Sequence, residues 1–132
     1  MSEFFDQFFF DKAPIYSIII EDDGRVAYAY LLKNGDIVSD VWLYNQLEAP
    51  INSEWKKSDM PFLNPQKFLQ DVSILPILDL NEVNIKWINS EFNKLLFADI
   101  YIREKFIARL KEGLKPGWSA IVKLDGPLAK IM

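Results

Sequence analysis

The chain has 132 residues, half of them apolar and 26% charged, with a formal net charge of −4 and neither cysteine nor histidine. That length is one domain, residues 1–132, and the composition excludes a disordered tail, a collagen-like repeat and a coiled coil. Without thiol or imidazole, disulfides, zinc sites built on Cys or His, and Ser–His or Cys–His nucleophile pairs are excluded as well.

Residues 2–11, SEFFDQFFFD, place Phe4, Phe5, Phe8 and Phe9 at i, i+1, i+4 and i+5. The spacing predicts a short helix closing one end of the core, with Ser2 as N-cap and acids in the first turn. The next thirty residues hold three β-rich runs, IYSIIIED, RVAYAYLLK and DIVSDVWLYN, separated by Asp23-Gly24 and Asn34-Gly35. Asp-Gly and Asn-Gly are strong hairpin signals, because both central residues of a type I′ turn need φ > 0. Two-residue turns there set Asp22 opposite Arg25 and Lys33 opposite Asp36. One face of this three-stranded meander then carries Ser17, Ile19, Tyr28, Tyr30 and Leu32. The other carries Ile18, Ile20, Ala27, Ala29, Leu31 and Trp42, with Asp40 opposite Ala29. Both faces are mainly apolar, so both are expected to be covered, by helices or by a second copy of the chain in a homodimer.

Residues 45–65 have no sustained period and contain Pro50, Pro61 and Pro65. A connection this long is either an Ω-like loop packed by Trp55, Met60 and Phe62, or a recognition loop anchored on Trp55. Asn64-Pro65 reads as an N-cap and N1 pair opening a short helix to Asp71. The run VSILPILDL is broken by Pro76 and predicts an edge strand or a bent connection. VNIKWI at 83–88 and LLFADIYIR at 95–103 alternate as strands. The stretch 104–113 fits a helix grouping Phe106, Ile107 and Leu110, or a hairpin turning near Glu104-Lys105; the alternation of Phe-Ile-Ala-Arg-Leu favours the hairpin. Trp118 to Leu124 reads as one or two turns of helix. The expected fold is α+β: one antiparallel sheet of about five to six strands with a few short helices, an all-β fold with minor helix being the near alternative.

The charge is unevenly placed. Residues 1–54 hold ten acids against three bases, whereas residues 103–130 hold seven bases against three acids. An acidic chain is not the profile of a nucleic-acid binder. No apolar run nears the ~18–20 residues that span a bilayer, and the first residues lack the basic stretch of a signal peptide, which points to a cytoplasmic protein. No phosphate loop, nucleophile elbow or calcium loop is present, and no metal or cofactor is expected. Asp40 and Asp99 are carboxylates that a hydrolase would need to bring together.

In size, acidity and lack of catalytic residue types the chain resembles bacterial toxin-immunity proteins, a similarity of profile that no motif carries. The resemblance implies a non-catalytic inhibitor that blocks a basic toxin or nuclease. Glu21, Asp22, Asp23 and Asp36 in the turns, with Glu48, Glu54, Trp55 and Asp59 in the 45–65 loop, would cover the partner's cationic active site. The competing readings are a small-molecule pocket lined by Tyr28, Tyr30 and Trp42, and a carboxylate-dependent enzyme.

Overall fold

The computed structural model of the chain describes residues 3–53, 56, 60–72, 74–92 and 94–132. Among these residues there are nine strands in two sheets. The first sheet is built from β1 (Phe4–Phe9), β2 (Tyr16–Asp22), β3 (Val26–Lys33) and β4 (Asp36–Asn45), paired antiparallel in chain order. The second orders β5 (Val83–Asn89), β6 (Leu95–Ile102), β7 (Lys105–Leu110), β8 (Trp118–Ser119) and β9 (Lys130–Ile131), antiparallel except for the β8–β9 pair. The only helical pieces among the described residues are two 3-10 turns, Gln66–Phe68 and Leu80–Glu82. None is long and apolar enough to cross a membrane. The fold is all-β, and the expected α+β architecture with one sheet and short helices is wrong.

Three helices expected from the sequence are absent. Residues 4–9 form a strand whose residues alternate between half-buried and exposed. Phenylalanines at i and i+4 share one face of a strand as well as of a helix, and a full ladder to β2 decides for the strand. The helix expected after Asn64-Pro65 shrinks to one 3-10 turn without a side-chain cap. Asn64 is held elsewhere: its N–H donates to Asn45 Oδ1 at 3.0 Å and its carbonyl accepts from Asn45 Nδ2 at 2.9 Å. Trp118 begins a two-residue strand rather than a helix.

The meander is present as strands β2 to β4. Asn34 and Gly35 have φ of 52° and 84°, the two positive values of a type I′ turn, and Lys33 faces Asp36 as the sequence implies. The first turn is displaced. Asp22 pairs with Ala27, so the loop centres on Gly24-Arg25 and the expected Asp22–Arg25 pair does not form. Side-chain bonds move it: Asp22 Oδ1 accepts from Gly24 N–H at 3.0 Å, and Asp23 Oδ1 accepts from Arg25 and Val26 N–H at 2.8 and 3.1 Å. A shift of two residues preserves faces. Two bulges in the β3–β4 ladder do not, and the one between Leu31 and Leu32 sets Asp40 opposite Tyr30 instead of Ala29.

One apolar core joins the inner faces of both sheets: Ile18, Ile20, Ala29, Leu31 and Val41 from the first, and Ala98, Ile100, Ile102, Ala108 and Leu110 from the second. The connection 74–79 adds the fully buried Ile77. The outer edge of β4 is closed by the second sheet's loops: Gly113 N–H donates to Val38 O, Gly117 N–H to Asp40 O, and Trp42 N–H to Leu128 O, at 2.7–3.0 Å. Gly117 is needed there for its size, since a Cβ would lie 2.5 Å from the Arg109 carbonyl oxygen.

The β6–β7 hairpin, as favoured from the alternation, turns on Arg103 and Glu104 at φ of 48° and 70°. Neither is glycine or asparagine, which is why the turn is hard to see in the sequence. Tertiary bonds hold Arg103 in place: its N–H donates to Glu82 O at 2.7 Å and its guanidinium pairs with Glu82 at 2.9 Å. Glu104 has no such anchor among the described residues. A left-handed non-glycine residue costs about 1–2 kcal/mol, partly offset by glycine's greater entropy in the unfolded chain. E104G is therefore expected to raise stability by about 0.5–1 kcal/mol, read as a higher urea midpoint. A lowered midpoint would mean the turn is not strained at this position.

Candidate partner-binding face

The outer face of the first sheet is organised in three cross-strand rows. They are Phe5–Glu21–Tyr28–Trp42, Gln7–Ile19–Tyr30–Asp40 and Phe9–Ser17–Leu32–Ile37. The first row is closed at its β4 end. Tyr28 Oη donates to Phe62 O at 2.6 Å, Trp42 Nε1 donates to Asn45 Oδ1 at 2.9 Å, and both side chains are buried. The β1 end of the face is open, with Phe5 64% and Phe9 56% exposed, and on β4 Ile37 also faces solvent. Half-buried Ile19 and Tyr30 lie between.

Acids flank this face, Glu21 opposite Phe5 and Asp40 opposite Tyr30. Glu21 and Asp36 are exposed and Asp40 is half-buried, and none makes an ion pair with a described residue. Burial, opposed by the Lys115 charge, raises the Asp40 carboxyl above its ordinary range. Burial and the charges of Glu21, Asp40 and Asp23 push the Tyr30 hydroxyl up to about 12. Tyr28 shifts the same way, with burial the main cause. Nearby cations are partly spent: Arg25 pairs with Asp23 at 3.4 Å, and Lys33 turns to Glu112 at 3.2 Å.

The residues expected at a partner surface separate into groups. Glu21 lies on this face, Asp23 is in the turn at one of its ends, and Asp36 is the first residue of β4, paired with Lys33 in a row that alternates to the opposite face. Glu48 is exposed on the loop beyond β4. Asp22 points the other way. It is 2% exposed, and its carboxylate accepts from Tyr44 Oη at 2.6 Å, Gln46 Nε2 at 2.7 Å and Gly24 N–H. Its place is in the core, not on display. Glu54, Trp55 and Asp59 lie outside the described residues. The sequence places Ile37 on this face, but the expected partner surface leaves out Phe5, Phe9 and Ile37; alternation of Phe5, Gln7 and Phe9 is the signal for a strand that shows them.

Trp42, expected to line a pocket with Tyr28 and Tyr30, lines a different depression. The depression at Trp42 measures about 180 Å³ and is walled by Tyr44, Leu69, Val72 and Ile121 among others, without Tyr28 or Tyr30. That is below the ~300 Å³ lower range of small-molecule sites. Asp40 and Asp99 belong to different sheets, and Asp99 is occupied by a bidentate bond from Arg109 at 2.7 and 2.9 Å. Among the described residues no group of three or more acids is placed to hold a metal ion.

No protein family's sequence profile matches the chain, and no curated protein and no solved structure matches it significantly.

Proposed function

We propose that this chain is a non-catalytic protein-binding module of the cytoplasm, an inhibitor or immunity-type protein that covers a cationic site on a basic partner. One observation carries the reading: exposed Phe5, Phe9 and Ile37 share one sheet face with Glu21 and Asp40, with Asp36 next to Ile37 at the start of β4, and these three acids make no ion pair among the described residues. Rings supply desolvated anchors, and unpaired carboxylates meet lysines or arginines while steering the encounter. Four strands ~4.8 Å apart and five residues of ~3.4 Å give a face of roughly 14 by 14 Å. That is about 200 Å², against the ~800 Å² per partner of a standard interface. The Asp23 turn, the start of β4 at Asp36 and the segment carrying Glu48 therefore complete the contact, and Glu54, Trp55 and Asp59 are proposed to join it.

The test is a capture of basic proteins from source-cell lysate by the wild type and by an E21K/D36K variant whose thermal melt is unchanged. A stoichiometric basic protein retained by the wild type alone, then purified, is expected to associate at least ~10-fold more slowly when salt rises from 50 to 500 mM. A salt-insensitive on-rate, or equal binding by the variant, would overturn the proposal.

A further inference from the structure

At one end of the molecule the two sheets part around an open groove of about 630 Å³, within the range of small-molecule sites. Its walls come from separate segments: Tyr16 at the start of β2, Lys33 at the end of β3, residues 94–97 entering β6, and residues 111–113 leaving β7. Nothing in the sequence announces it, because these segments are far apart in the chain.

The charges in the groove do not balance. Glu112 accepts from Tyr16 Oη at 2.7 Å and from Lys33 Nζ at 3.2 Å. The Tyr16 bond holds the Glu112 carboxyl below the usual carboxylate range, against a smaller opposing effect of burial and with help from the Lys33 and Lys94 charges, so it stays ionised. Lys94 and Lys111 line the same groove and make no ion pair with a described residue. With Lys33 they leave the groove with more positive than negative charge, Lys94 just before β6 and Lys111 just after β7, although Lys94 also attracts Glu112. Between them runs an apolar floor of Leu95, Leu96 and Phe97, with Leu96 41% exposed and Lys111 Nζ 5.9 Å from the Phe97 ring centre. Like charges brought together beside apolar surface are relieved by a ligand that carries negative charge at one end and an apolar body at the other.

We infer that this groove binds a small organic anion. A carboxylate, sulfonate or phosphate head sits between Lys94 and Lys111, and the body lies on Leu95, Leu96 and Phe97. A bare inorganic anion would leave the floor uncovered, and an uncharged aromatic would leave the lysines unmatched. The site is separate from the acidic face and stands or falls without it.

The probe is 8-anilinonaphthalene-1-sulfonate, followed by amide chemical shifts of the full chain, with N-phenyl-1-naphthylamine as the same body without the sulfonate. The sulfonate is expected to shift the amides of residues 94–97 and 111–113, and the uncharged analogue to bind at least ~10-fold more weakly. K94E/K111E is expected to lose ~10-fold or more in sulfonate affinity, the combined effect of two surface charges, with its melt unchanged. K94Q/K111Q serves if charge reversal unfolds the chain, with a smaller loss in the same direction. Shifts centred on Phe5 and Phe9, or equal binding of the two probes, would overturn the inference. The ligand inferred is free, not a lipid headgroup, so the protein is expected to stay in the supernatant with phosphatidylglycerol vesicles. Co-sedimentation lost in K94E/K111E would overturn that choice.

Discussion

Replacing Arg109 by alanine is expected to destabilise the fold by about 3 kcal/mol, because it strands a buried carboxylate. Asp99 is 2% exposed, and both its oxygens are taken by the Arg109 guanidinium. The guanidinium also lies 4.5 Å from the Phe97 ring centre and 5.7 Å from that of Phe106, and Phe97 in turn meets Trp118 edge-on. The substitution therefore removes the counter-charge and the plate on which two rings rest. Breaking a buried pair costs ~3–5 kcal/mol; the lower end applies here because 32% of the Arg109 side chain remains in contact with water. Urea unfolding measures the loss. The double replacement Asp99→Leu with Arg109→Met is expected to recover most of it, since no charge is then left buried. A single-variant loss under about 1 kcal/mol would show that the pair is solvated.

Tyr44→Phe is expected to cost about 2 kcal/mol, although it removes a single oxygen. That hydroxyl donates to Asp22 Oδ2 at 2.6 Å and accepts from the Ile77 N–H at 2.9 Å, both inside the protein. It is the joint between the first sheet and the bent connection to the second. In the variant the Ile77 N–H has no acceptor, and Asp22 keeps only Gln46 and Gly24. A thermal midpoint lower by roughly 8 °C is the expected reading. Faster amide exchange at Ile77, without change at Ile20, would place the damage at this joint; an unchanged midpoint would refute it.

Asp22 shows where sequence reading stops. Two adjacent aspartates before a glycine look like displayed charge, and Asp23 partly is. The decisive fact about Asp22 is the Tyr44 hydroxyl, 22 residues away, which no local pattern announces. The Asn34-Gly35 turn was legible because one backbone requirement, positive φ twice, selects those residues. The Arg103-Glu104 turn was half legible: alternation implied a hairpin, but the bonds that hold Arg103 are tertiary. The segment at Phe4 to Phe9 was misread as helix because four-residue spacing is common to both periods. Asp40 was placed one strand position off by bulges, which are set by packing. The anion groove was invisible, being built from segments that meet only in the folded chain. Trp55, chosen as an anchor, lies outside the described residues.

Strand β1 is joined to its sheet by one ladder, the one to β2. Elements held along a single side open at lower free energy than the core, so β1 is among the first parts of the sheet to exchange its amide protons. Phe5 and Phe9 ride on that strand. The surface proposed to meet a partner is thus coupled to local opening, because a partner that grips these rings binds only the closed ladder. Affinity gained at the face is returned to β1 as protection.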